Sequence, residues 1–156
     1  MQNDAGLKAE FYNCESEAGE KVLVTIVRPH EKHQSYPHRM HGGVISALLD
    51  ESIGRAVQVE HPEIWAVTID MSIKFRKPVP LDKTIYIESR VTNLTNRAFT
   101  GTGRMFTNDG VTLATSEAKY LIMPYQKIFE SEHLTDFNWF LSDKKLPKFI
   151  KIETKI

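Results

Sequence analysis

His41-Gly42-Gly43 stands directly before an apolar run that carries Asp50-Glu51 inside it. Glycines at a helix start let a ligand approach the backbone closely. The first N–H groups of a helix lack internal partners and sit at the positive end of its dipole. That is donor chemistry for an anion or a developing oxyanion. Asp50 lies two turns further on, among Leu48, Leu49 and Ile53. A carboxylate in such surroundings is costly unless it is paired, hydrogen-bonded or functional. Ser46, Asp50 and Gly54 fall at i, i+4 and i+8 and form one narrow stripe. Glu51 is the weaker candidate, because Arg55 is its i,i+4 ion-pair partner. A carboxylate and an oxyanion donor together suit proton abstraction or nucleophilic attack at a carbonyl. No Gly-x-Ser-x-Gly elbow supports a serine route.

The spacing carries a second inference. Nine residues separate His41 from Asp50, ~13.5 Å along a helix axis. Nine steps of roughly 100° also put them on opposite sides. One small reacting group does not fit between both within one protomer. If both act, a two-fold dimer brings the glycine end of one helix to Asp50 of the other and creates two equal sites.

The elements that position these residues are readable from periodicity. Val44, Ile45, Leu48, Leu49, Ile53, Ala56 and Val57 give residues 42–58 a wide apolar helical face. Upstream, residues 7–12 are a short candidate strand and the Val-rich run 21–28 is a strand. The loop 29–40 holds two prolines and three histidines. Downstream the period becomes two: Val67, Ile69, Met71, Ile73 and Phe75 alternate with polar residues. That alternation predicts Thr68, Lys74 and Arg76 on one face. Strands follow at 83–94, 97–108 and 111–123, separated by turn chemistry at 93–96 and 108–110. Short-loop strands with one long apolar helix predict an α+β arrangement on an antiparallel sheet. Residues 125–156 scatter Phe129, Phe137, Trp139 and Phe140 among charges, and are expected to pack over the domain or a neighbour.

The stretch HGGVISALLDE, followed by VTIDMSIKFRKPVPL and three more strands, resembles the hotdog-fold acyl-CoA thioesterases. It is most similar to their phenylacetate-degradation-type branch, over roughly residues 20–124. The resemblance implies a sheet wrapped around one central helix in a domain 1–124, with 125–156 as a C-terminal extension. It implies a homo-oligomer, a dimer or a dimer of dimers, paired by sheet edges with active sites shared between protomers. Asp50 matches the catalytic base or nucleophile. Gly42 matches the residue whose backbone N–H polarises the thioester carbonyl, with His41 and Gly43 beside it. Thr68 matches a hydroxyl that orients water or Asp50. An amide often found before the glycine turn falls at Gln34 or Ser35. The phosphates of coenzyme A are expected near Lys74, Arg76, Lys77 and Arg97. The implied reaction is hydrolysis of an acyl-CoA to a free acid and coenzyme A, with no metal or bound cofactor. The alternatives are a non-catalytic acyl-CoA or acyl-chain binder on the same fold, and then a dehydratase of enoyl thioesters. The bulky His38-Arg39-Met40 before the motif bears on substrate size.

Global composition narrows the classes further. The 156 residues suit one domain, and twenty Lys+Arg balance twenty Asp+Glu. That excludes a broadly basic nucleic-acid surface. A single cysteine, Cys14, excludes an intramolecular disulfide and a Cys-based zinc cluster. His30, His33, His38 and His41 have no helical i,i+4 pairing, so no metal site is expected. With no apolar signal core and no uncharged run near ~18 residues, a cytoplasmic protein without membrane association is expected.

Overall fold

Val and Ile recur through Lys21–Val27, and this run is strand β2, paired antiparallel with β1 (Ala9–Glu15). The computed structural model describes residues 6–16 and 19–128. After a loop comes helix α1 (Gly42–Ala56), tightened into one 3-10 turn at Val57–Val59. Strands β3 (Ala66–Phe75), β4 (Ile85–Leu94), β5 (Ala98–Thr107) and β6 (Thr112–Ile122) follow, then a short helix α2 (Tyr125–Ile128). The sheet order is β1-β2-β4-β5-β6-β3, and every neighbouring pair is antiparallel. The α+β architecture expected from the sequence is the one observed. The expected extension beyond residue 128 lies outside the described residues.

The sheet curves around α1, which buries Ile45, Leu48, Leu49 and Ile53. Against them stand Ile85, Ile87, Met105 and Ala114 at one end and Phe99, Ala118 and Tyr120 at the other. On β5 two glycines make room for the helix. A Cβ on Gly101 would stand 2.7 Å from Ile53 Cγ2 and 2.9 Å from the Arg90 carbonyl oxygen; on Gly103 it would meet Ile53 Cγ1 at 2.9 Å.

β3 departs from the expected alternation. Thr68 pairs with Tyr120 and Asp70 with Lys119, so Ile69 is an extra residue with no partner opposite it. This β-bulge shifts the phase of the strand. Before it, Ala66 packs on the core and Thr68 faces the helix; after it, Met71 and Ile73 do. Thr68 therefore does not share a face with Lys74 and Arg76, a correction to the period-two expectation. β3 is also a sheet edge, with Ile69 51% and Phe75 57% exposed.

Candidate active site

Asp50 lies midway along α1, where the helix passes the paired residues Thr68 and Tyr120. The Thr68 hydroxyl donates to Asp50 Oδ1 at 2.8 Å. The Tyr120 hydroxyl shares its proton between the same Oδ1 at 3.1 Å and the Asp50 carbonyl oxygen at 3.0 Å. Asp50 Oδ2 has no hydrogen-bond partner among the described residues. Burial, followed by the Asp50 charge and its hydrogen bond, pushes the Tyr120 phenol far above its ordinary range. Tyr120 is thus held as a neutral donor. Its ring stacks on Phe99 with centroids 4.7 Å apart. Its edge lies where a Cβ on Gly54 would come within 3.1 Å of Tyr120 Cε1. Asp50 and Gly54 of the stripe Ser46-Asp50-Gly54 therefore turn to β6, and the glycine admits the ring.

These groups open on a cleft of about 250 Å³ that Gln58, Ile64, Trp65 and Ala66 also line. Arg55 pairs with Glu51 and stacks over the Phe11 ring at 4.5 Å. The Glu51–Arg55 pair expected from the spacing is formed.

The glycine turn is at the other end of the helix. His41 is the N-cap, and its imidazole Nδ1 accepts the Gly43 N–H at 2.9 Å. The Val44 and Ile45 N–H groups both reach the His41 carbonyl, at 3.0 and 3.1 Å. The Gly42 N–H alone in this turn has no partner among the described residues. Phe75, at the end of β3, lies 3.8 Å from where a Gly42 Cβ would stand. β3 thus runs antiparallel to α1, with Phe75 beside Gly42 and Thr68 beside Asp50.

The structure joins Asp50 and Thr68 and leaves the other expected site residues apart from them. Gln34 Oε1 accepts the His38 N–H at 2.9 Å, and the Ser35 N–H donates to the Arg39 carbonyl at 2.9 Å. Both residues close the loop before the glycine turn. Lys74 lines a cleft on the outer sheet face with Ser72, Glu88, Arg90, Arg104 and Glu117, away from the helix. Lys77 lines a different cleft with Arg39 and Lys83, and Arg97 is exposed in the β4–β5 connection. Arg76 is exposed at the end of β3. Two histidines of the loop serve the backbone: His33 Nδ1 accepts the His30 N–H and His30 Nδ1 the Lys32 N–H.

Tyr120 was not among the residues the sequence singled out. The available signal was a tyrosine at an inward position of an alternating strand, because a buried Tyr hydroxyl needs a partner.

Residues 38–114 match the family model of the thioesterase superfamily, a stretch that holds the glycine turn, Asp50 and Thr68 and ends before Tyr120. Over that stretch the chain is similar to the thioesterase superfamily. Solved structures agree on the fold. Zebrafish thioesterase superfamily member 2 is 18% identical, with a TM-score of 0.65 over 74% of this chain and 82% of that one. A hypothetical thioesterase of Streptococcus pneumoniae, solved with coenzyme A, is 15% identical, with a TM-score of 0.65 over 75% of this chain and 90% of its own. The E. coli PaaI protein, from the phenylacetic acid degradation operon, is 15% identical, with a TM-score of 0.64 over 75% and 80%. No curated protein matches the sequence. The superfamily's hotdog architecture, a sheet wrapped on one helix, is the fold of this chain.

Proposed function

We propose that this protein hydrolyses an acyl-CoA thioester to a carboxylic acid and coenzyme A, with Asp50 as general base or nucleophile. The observation that carries the reading is a carboxylate on the central helix held through one oxygen while the other meets no partner among the described residues. In the general-base route, Asp50 takes a proton from water as its oxygen bonds to the thioester carbon. The carbonyl oxygen becomes an oxyanion at the open Gly42 N–H, where a fixed donor stabilises the developing charge. Collapse breaks the C–S bond, and the thiolate leaves with the proton held by Asp50. In the nucleophilic route Asp50 itself displaces the thiolate, and water then cleaves the anhydride.

Gly42 and Asp50 sit two turns apart on α1, so the donor and the carboxylate of one site come from two protomers in this reading. The open β3 edge supports this. Because β3 runs antiparallel to α1, a two-fold pairing of β3 edges carries the partner's glycine turn toward Asp50. A long exposed edge with apolar side chains also favours pairing over solvent. The phenylacetate-type branch belongs to the same proposal and points to a compact acyl group. Coenzyme A enters as part of the substrate, and its phosphates would meet Lys77 and Arg39 near the glycine end rather than Lys74 on the outer face.

The test is thiol release from aryl, short-chain and medium-chain acyl-CoAs. Asp50→Asn is expected to lower kcat by at least about 100-fold on the preferred substrate, with the fold retained. Unchanged release from that variant would remove Asp50 from the chemistry. Tight acyl-CoA binding without release by the wild-type protein would make it a binding module instead.

A further inference from the structure

We propose that Tyr120 is a positioning residue: with Thr68 it fixes Oδ1 of Asp50, so that Oδ2 is the atom presented to the substrate. The inference rests on the thioesterase reading for its consequence, and on three observations for its geometry. First, both hydroxyls converge on the same oxygen, at 2.8 Å and 3.1 Å, while Oδ2 meets no described residue. A carboxylate held at one oxygen by two donors loses its freedom to rotate about the Cβ–Cγ bond. Second, Thr68 and Tyr120 are cross-strand partners, so the pair is set by sheet register. The bulge at Ile69 aims Thr68 at the helix, and without it the strand phase would be different. Third, Tyr120 is itself immobilised: its ring is stacked on Phe99 and lies against Gly54, and its hydroxyl also reaches the Asp50 carbonyl oxygen. A donor fixed on three sides can impose an orientation that a surface serine or water cannot.

The chemistry gives the arrangement a purpose. A general base acts only when its accepting lone pair meets the attacking water within hydrogen-bond reach. A freely rotating carboxylate would offer either oxygen at a range of angles. Clamping Oδ1 commits Oδ2, and it does so before substrate arrives, which is the preorganisation that small misplacements destroy.

Tyr120→Phe keeps the ring, its stacking and its contact with Gly54, and removes only the hydroxyl. It is expected to lower kcat roughly tenfold, the scale of one hydrogen bond to a charged group, with KM little changed. Thr68→Val is expected to act in the same way. The double variant should fall short of the product of the two effects, because both donors restrain one oxygen. Gly54→Ala is an independent probe: it keeps the hydroxyl but presses the ring off its seat and so displaces the hydroxyl from Oδ1, which should lower kcat in wild-type protein and add little in Tyr120→Phe. Wild-type kcat and KM in Tyr120→Phe, with folding intact, would overturn the proposal. If the wild-type protein releases no thiol, the thioesterase reading fails on its own. The positioning claim is then decided by a crystal structure of Tyr120→Phe. A rotated Asp50 carboxylate upholds it, and an unmoved one overturns it.

Discussion

Thr68 and Tyr120 reach Asp50 from neighbouring strands, and each brings a different kind of hydroxyl. Thr68 is at the surface, whereas Tyr120 is 2% exposed and held protonated by burial. That difference has a consequence for stability. The folded Tyr120 keeps its proton above the ordinary value of 10.0, while an unfolded tyrosine releases it there. Folding therefore retains a proton that the unfolded chain loses, and this contribution to stability falls as pH rises beyond 10. Below that pH it is fully present. Urea unfolding at about pH 8 and about pH 11 should show a drop for the wild-type protein that is smaller in Tyr120→Phe. An equal drop in both would mean that other groups carry the alkaline dependence. The glycine turn was legible in the sequence because capping is local: His41 and Gly43 are two positions apart and satisfy each other. Tyr120 was not, because its acceptor lies 70 residues away.

At the scale of the elements, α1 and the strands were legible because apolar spacing states which face is buried. The helix was expected over 42–58 and is found at Gly42–Ala56 with a 3-10 continuation. The bulge in β3 was hidden. Val67, Ile69, Met71, Ile73 and Phe75 alternate without a break in type, and nothing in that run marks Ile69 as the residue left without a cross-strand partner and 51% exposed. A pattern of residue types records hydrophobicity and does not record a slip in pairing, so it puts Thr68 on the polar face with Lys74, whereas Thr68 faces the helix. The contact between α1 and β5 yields a prediction about packing. Gly101→Ala forces a Cβ against the rigid Arg90 carbonyl as well as Ile53, whereas Gly103→Ala meets mobile ends of Ile53 and Leu49. Both should destabilise, by about 1–3 kcal/mol, with Gly101→Ala the worse. Equilibrium urea denaturation checks the order. Equal losses would mean that the side chain of Ile53, and not the strand backbone, sets the limit.

For the whole molecule, the balanced charge and one-domain length excluded a basic nucleic-acid surface and left the site to local structure. Among the described residues no helix is long and apolar enough to cross a membrane. Within one chain the Gly42 N–H, proposed as the oxyanion donor, does not meet Asp50, because the two lie two helical turns apart. In the proposed pair, the antiparallel course of β3 along α1, with Phe75 at the glycine end and Thr68 at the carboxylate end, would decide how damage spreads between subunits. In an edge-to-edge pair, a chain carrying both Gly42→Pro and Asp50→Asn would spoil the site it donates a turn to and the site it donates a carboxylate to. Gly42→Pro is sterically suited to this use, since the position is the first of the helix and His41 already has extended backbone angles. Such a chain would silence a normal partner completely, so activity in randomised mixtures would fall as the square of the intact fraction. Self-sufficient protomers would give a straight line. The direction in which one strand runs would then make the doubly altered chain a poison and not merely a loss.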